Sequence, residues 1–199
     1  AQNKNSLPAI PDRDEIRYLS IRYSHPRWLV KRLVMLLGRE ESETFLAANN
    51  SVAPLTVQVN PLQTTVEALC AELTETGITA RAHAWVPGCL ELSGTGELTA
   101  LSAFREGRFL VQDPAASLVA QAAGIAPGQR VLDVCAAPGG KSFSAAFAME
   151  NQGSVTACDL HENKLVRIRQ GAERLGISCI VTAAADGRNF CPEWEKAFD

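Results

Sequence analysis

The residues best suited to chemistry lie together at positions 131–142, Val-Leu-Asp-Val-Cys-Ala-Ala-Pro-Gly-Gly-Lys-Ser. An apolar run leads into small residues, then into the adjacent glycines Gly139 and Gly140, and then into a helical stretch from Lys141. A buried strand that turns through glycines into a helix aims main-chain N–H groups and the positive helix end at whatever binds there. Without a Cβ, Gly139 and Gly140 let a ligand come close to the main chain. Two acids follow. Asp159 stands 19 residues after Gly140, near the spacing of about 20 at which a carboxylate meets ribose hydroxyls. Asp186, in Asp186-Gly187-Arg188, follows a third apolar segment, where a carboxylate can accept from a base amino group. Each acid also has a plainer reading. Asp159 can cap the helix that begins near Glu162, and Asp186 can belong to an Asp-Gly turn.

Three ligands compete for this loop. A phosphate-binding P-loop requires G-x-x-x-x-G-K-[ST]. Gly140-Lys141-Ser142 fits its end, but Cys135 stands where the first glycine belongs and Pro138 removes a donor. The dinucleotide fingerprint G-x-G-x-x-G is absent. S-adenosylmethionine carries no phosphate; it needs close main-chain approach and an acid for its ribose, which this loop and Asp159 offer.

The elements that must position these groups follow from periodicity. Residues 1–20, with Pro8 and Pro11, read as a linker. Ser24 caps a helix with Pro26 in its first turn, carrying Trp28, Leu29, Leu33, Leu36 and Leu37 at helical spacing and ending at Gly38. A second short helix covers 40–49. Alternation then predicts a strand at 55–59, and Thr64-x-x-Glu67 is a capping box for a helix through Glu75. Strands at 78–84 and 89–92 and a short helix at 98–104 complete a small α+β module over 21–105, of the kind that recognises RNA.

From Gly107 strands alternate with helices: strands at 109–111, 130–135, 154–158 and 179–182, helices at 114–123, 141–148 and 162–175. This rhythm predicts parallel β-α-β units over 106–199. Phe198 and Asp199 read as the opening of a further strand.

Charge is unevenly spread. The 199-residue chain has a net charge of −3, which advertises no polyanion partner. Yet from Ile16 to Arg39 there are six basic residues and no acidic one. Arg22, Arg27, Lys31 and Arg32 lie there, with Trp28 and other aromatics interleaved. Such a stretch binds phosphates and stacks bases, or it is a solvated helix face with a half-buried tryptophan. The six cysteines form no C-x-x-C pair and stand near no histidine pair, so no metal site is expected. They read as reduced, mostly buried thiols of a cytoplasmic protein. No apolar run approaches the ~20 residues of a membrane span.

Asp133-Val-Cys-Ala-Ala-Pro-Gly-Gly-Lys141 closely resembles the cofactor motif of the RNA 5-methylcytosine methyltransferases. Val111-Gln112-Asp113-Pro-Ala-Ala-Ser117 and Asp186-Gly187-Arg188 are similar to that family as well. Ser24-His25-Pro26-Arg27-Trp28-Leu29-Val30 resembles the start of the RNA-binding part in its 16S ribosomal RNA branch, the RsmB type. The resemblance implies a Rossmann-like, S-adenosylmethionine-dependent α/β methyltransferase domain, here incomplete, after a small α+β RNA-recognition-like domain. It implies cofactor contacts from Cys135, Ala136, Ala137, Pro138, Gly139, Gly140 and Lys141, with Asp159 at the ribose and Asp186 near the adenine. Arg22, Arg27, Trp28, Lys31 and Arg32 become candidate RNA contacts. In that family a cysteine thiolate adds to C6 of cytosine so that C5 can attack the methyl group. Both catalytic-region cysteines of the pattern would fall beyond Asp199, so no catalytic residue is expected here, and the chain reads as a truncated, inactive fragment. Methylation of transfer RNA, a nucleotide-binding protein of P-loop kind and a binding module without catalysis are the competing readings.

Overall fold

The computed structural model describes residues 14–199, and these fall into two compact units divided after Ala53. The first contains three helices, α1 (Glu15–Arg22), α2 (Arg27–Leu37) and α3 (Arg39–Asn49). Leu19, Val30 and Leu46, one from each helix, are fully buried together. The expected linker over 1–20 is corrected where it overlaps α1; residues 1–13 lie outside the described part. Asp14 starts α1 by accepting the Arg17 N–H at 3.0 Å, and burial of Leu19 holds the helix down. Ser24 does not cap α2. Its φ of 56° turns the chain, and Pro26 is the residue before the helix.

The second unit holds two sheets. In the first, β1 (Leu55–Val59), β2 (Thr79–Ala82), β3 (Cys89–Ser93) and β4 (Phe109–Val111) run antiparallel in the order β2-β3-β1-β4. Helix α4 (Val66–Glu75) and the single turn α5 (Ser102–Arg105) complete the split β-α-β pattern of ferredoxin-like domains. Thr65, one residue later than expected, caps α4 by accepting the Ala68 N–H. Alternate residues Val57 and Val59 face Leu69 and Leu73 of α4. The expectation that 109–111 opens the downstream module is corrected. Val59 pairs with Phe109, and the Phe109 ring is fully buried in the core of the first sheet.

In the second sheet β5 (Arg130–Asp133), β6 (Ser154–Asp159) and β7 (Ile180–Ala184) run parallel in that order. Helices α6 (Pro114–Ala122), α7 (Gly140–Ala148) and α8 (Glu162–Leu175) complete a Rossmann-like α/β arrangement. Leu165, Ile168, Ala172 and Leu175 form the buried stripe of α8, and Gly176 ends it in the left-handed conformation. Asp199 lies along the outer edge of β5, its N–H donating to the Arg130 carbonyl at 3.0 Å.

Buried polar groups tie the two sheets of this unit together. The Asn60 amide, fully buried, donates to Gly107 O at 2.7 Å and to Leu175 O at 2.9 Å. Arg174 donates to Phe104 O and Phe109 O and stacks on the Phe104 ring at 4.1 Å. Ser144 on α7 donates to Gln58 on β1 at 2.6 Å.

Candidate functional site

The loop leaving β5 is held by Asp133, the last residue of that strand. Its Oδ1 accepts the Cys135 N–H at 3.2 Å and its Oδ2 accepts the Ser142 hydroxyl at 2.8 Å. One carboxylate therefore grips both the start of the loop and the first turn of α7. Sequence reasoning did not single out Asp133. The signal was available in a carboxylate ending a strand, with a serine in the first turn of the next helix.

Within the loop, Ala136 donates its N–H to Cys158 O at 2.7 Å, and Gly139 donates to Ala136 O at 2.6 Å. The Ala137–Pro138 peptide is cis. Gly139 has φ of 115°, which a side chain disfavours. The space a Cβ would need is already filled. On Gly139 it would stand 2.5 Å from the Phe143 ring, and on Gly140 it would meet the Gln112 amide. These glycines thus make room for the protein's own side chains.

The same loop argues against a phosphate nest. The N–H groups of Cys135, Ala136 and Gly139 are spent inside the protein, Pro138 has none, and the Asp133 carboxylate stands among them. A polyphosphate would meet that negative charge and would depend on the N–H groups of the first turn of α7.

An open cleft of about 410 Å3 lies at the carboxyl ends of β5, β6 and β7, bordered by Cys135, Asp159, Leu160, Asp186 and Arg188. Ligands bind at such strand ends in open α/β sheets, and the volume falls in the usual range for small-molecule sites. Of the loop, Cys135 borders this cleft. Lys141 borders a separate apolar groove with Val131 and Ala145.

Asp159 is only 4% exposed. Its Oδ1 accepts the His161 N–H at 3.2 Å and faces Lys164 Nζ at 3.4 Å. The His161 N–H chiefly, with Lys164 and the Ala137 main chain, holds this carboxyl below the usual range although burial opposes them. His161, not Asp159, occupies the cap position of α8, so the plain capping reading does not hold. Asp186 does sit in a turn, its carbonyl accepting from Asn189 N–H at 2.9 Å. Both of its carboxylate oxygens are gripped by the Arg188 guanidinium, at 2.9 and 2.7 Å, which lowers its pKa. The geometry thus brings Cys135, Asp159 and Asp186 to one cleft, with Asp186 already paired.

The basic stretch divides in two. Arg22 lies over the Tyr18 and Tyr23 rings, donates to the Tyr18 hydroxyl and faces Glu43 at 3.8 Å. Arg27 pairs with Asp14 at 2.8 Å. Trp28, Lys31 and Arg32 are exposed on one side of α2. All six cysteines are unpaired; burial pushes the thiols of Cys89, Cys158 and Cys179 up, while Cys135 is exposed.

Two family models match the chain: a ferredoxin-like domain of RsmF/B-like methyltransferases over residues 25–99, and 16S rRNA methyltransferase RsmB/F over residues 121–199. The chain is 37% identical over 180 residues to the probable ribosomal RNA small subunit methyltransferase B of Synechocystis sp., covering 90% of this chain and 39% of that protein. It is 37% identical over 175 residues to ribosomal RNA small subunit methyltransferase B of Pseudomonas syringae pv. tomato, covering 88% and 39%. The chain therefore spans about two fifths of the length of the curated relatives it matches. The crystal structure of a methyltransferase homolog protein from Pyrococcus horikoshii superposes with a TM-score of 0.76 at 26% identity, covering 84% of this chain and 55% of that one.

Proposed function

The chain belongs to the RsmB/F methyltransferase family, and on that premise we propose that it supplies the RNA-binding and S-adenosylmethionine-binding parts of an enzyme that methylates cytosine C5 of 16S ribosomal RNA. The observation that carries this reading is the convergence of Cys135, buried Asp159 and Asp186 on one cleft at the ends of three parallel strands. When bound, S-adenosylmethionine supplies an electrophilic methyl group on a sulfonium. The residues present fit it. An ionised Asp159 would accept from the ribose hydroxyls. The loop from Cys135 to Lys141, clamped by Asp133, would hold the methionine part, and Asp186 with Arg188 would lie near the adenine. A loop that spends the N–H groups of Cys135, Ala136 and Gly139 inside the protein and carries the Asp133 carboxylate suits a ligand without phosphate better than a nucleotide triphosphate. The target cytosine has to leave its stack to be reached. No catalytic role is assigned to any residue of this chain.

Titration calorimetry with S-adenosylmethionine and with ATP–Mg²⁺ tests the cofactor. Binding of the first and not the second is expected, and Asp159→Ala should weaken it at least about tenfold, the weight of a charge-assisted hydrogen bond. Tight ATP binding would overturn the reading. Mapping the methylated base made by the natural whole protein separates 16S ribosomal RNA from transfer RNA.

A further inference from the structure

Helix α2 has two apolar sides. Val30, Leu33 and Val34 enter the small three-helix core. Trp28, Met35 and Leu36 point away from it and are 68%, 76% and 72% exposed. Residues 28, 31, 32, 35 and 36 follow the i, i+3, i+4, i+7, i+8 pattern of one helix face. Trp28, Lys31, Arg32, Met35 and Leu36 line an open groove there. Among the described residues Lys31 and Arg32 make no ion pair, whereas Arg22, Arg27 and Arg39 each face a carboxylate. No carboxylate lines the groove, and no acidic residue occurs from Ile16 to Arg39.

We infer that this groove is a binding site for single-stranded RNA, in which an unstacked base lies on the Trp28 ring and neighbouring phosphates meet Lys31 and Arg32. The inference rests on the RNA reading above and narrows it. Arg22 and Arg27 shape the helical unit, and the contact falls to three side chains. The chemistry favours RNA over a protein partner. An exposed indole with two unpaired cations one turn away supplies a stacking platform and phosphate contacts on a single face. An apolar protein surface would leave both cations unmatched. A duplex keeps its bases stacked and offers only its backbone, so the platform selects single strands.

The test is fluorescence titration of the whole chain with a short single-stranded RNA and with the same sequence as duplex, across a salt series. Trp28→Ala should weaken single-strand binding about tenfold and duplex binding little. Trp28→Phe, which keeps an aromatic face, should recover most of the loss. Replacing Lys31 and Arg32 by glutamine should make the dependence of log affinity on log salt shallower by about 1.4, the value for two phosphate contacts on a single strand. Because these side chains are exposed, melting curves should match the parent chain. An unchanged single-strand affinity in Trp28→Ala, or an unchanged salt slope in the double variant, overturns the inference. Affinity for the parent chain that is independent of salt does the same and points to an apolar partner. S-adenosylmethionine binding measured on the same samples keeps the two readings apart. Loss of Trp28-dependent RNA binding with the cofactor still bound removes this site alone. A Trp28-dependent RNA site in a chain that binds no cofactor removes the methyltransferase reading and leaves the site.

Discussion

The Phe143 ring stands 2.5 Å from the point a Cβ on Gly171 would occupy. The same ring lies as close to the missing Cβ of Gly139, so one side chain of α7 is wedged between the loop beside the cleft and the middle of α8. Phe143 is 3% exposed and belongs to the core of the parallel sheet. The shape of that loop is thereby coupled to the packing of α8, whose first turn borders the cleft at Lys164.

Gly171→Ala should destabilise the protein by roughly 1–2 kcal/mol. Alanine gains about 1 kcal/mol of helix propensity at an interior position, but forcing a methyl group into a filled core costs about 1–3 kcal/mol. Urea denaturation decides which effect wins. A more stable variant would show that the ring can move aside. In a cycle with Phe143→Leu the two losses should add to less than their sum, because the smaller side chain vacates the same space.

Ser142→Ala removes the hydroxyl that donates to Asp133. A hydrogen bond to a charged group is worth about 1.5–3 kcal/mol, and the variant should lose about that much stability. S-adenosylmethionine affinity should fall with it, since Asp133 then holds the loop at Cys135 alone. Calorimetry on the folded variant reads the second effect. Undiminished affinity would mean the loop keeps its shape without the clamp.

Asp159 sets an acid dependence whose sign is fixed. Its carboxyl in the folded chain titrates below its unfolded value, mainly through the His161 N–H. Its contribution to stability is therefore fully present above the unfolded value of about 3.9 and is lost as pH falls through the folded one. Asp159→Asn should be less stable than the parent chain at neutral pH, and the gap should close in strong acid. Urea midpoints of both chains at a neutral and an acidic pH make the comparison. Cofactor affinity should stay flat from about pH 8 down to about pH 5 as far as this group is concerned.

Asn60→Ala strips the donor from Gly107 O and Leu175 O and the acceptor from Leu62 N–H. Leaving such buried groups unpaired should cost about 2–4 kcal/mol. Asn60→Asp should cost more, because a buried carboxylate would face two carbonyl oxygens. Thermal melts of the pair test the order, and an aspartate variant as stable as the parent would contradict the assigned hydrogen bonds.

The local elements were legible because their signals are local. The Glu162–Leu175 helix and its glycine stop were expected to the residue, since a buried stripe at helical spacing and a left-handed terminator need no distant partner. The β-loop-α motif at 131–142 was equally plain. Positions 109–111 were recognised as a strand, but their partner was not: three residues carry no record of which sheet edge they join, and burial of Phe109 beside Leu69 and Leu73 settles it.

The sequence by itself determined the order of strands and helices beyond α1, the glycine loop between β5 and α7 and the family, because these depend on residue types a few positions apart. Only the tertiary structure decided how each polar group is spent. Asp133 becomes a clamp, Asp186 is committed to Arg188, Gly139 and Gly140 accommodate Phe143 and Gln112, and Arg22 and Arg27 are paired while Lys31 and Arg32 are not. The reason is geometric. A hydrogen bond, an ion pair or a steric fit depends on distances of a few ångströms between chain segments, and the folded packing sets those distances.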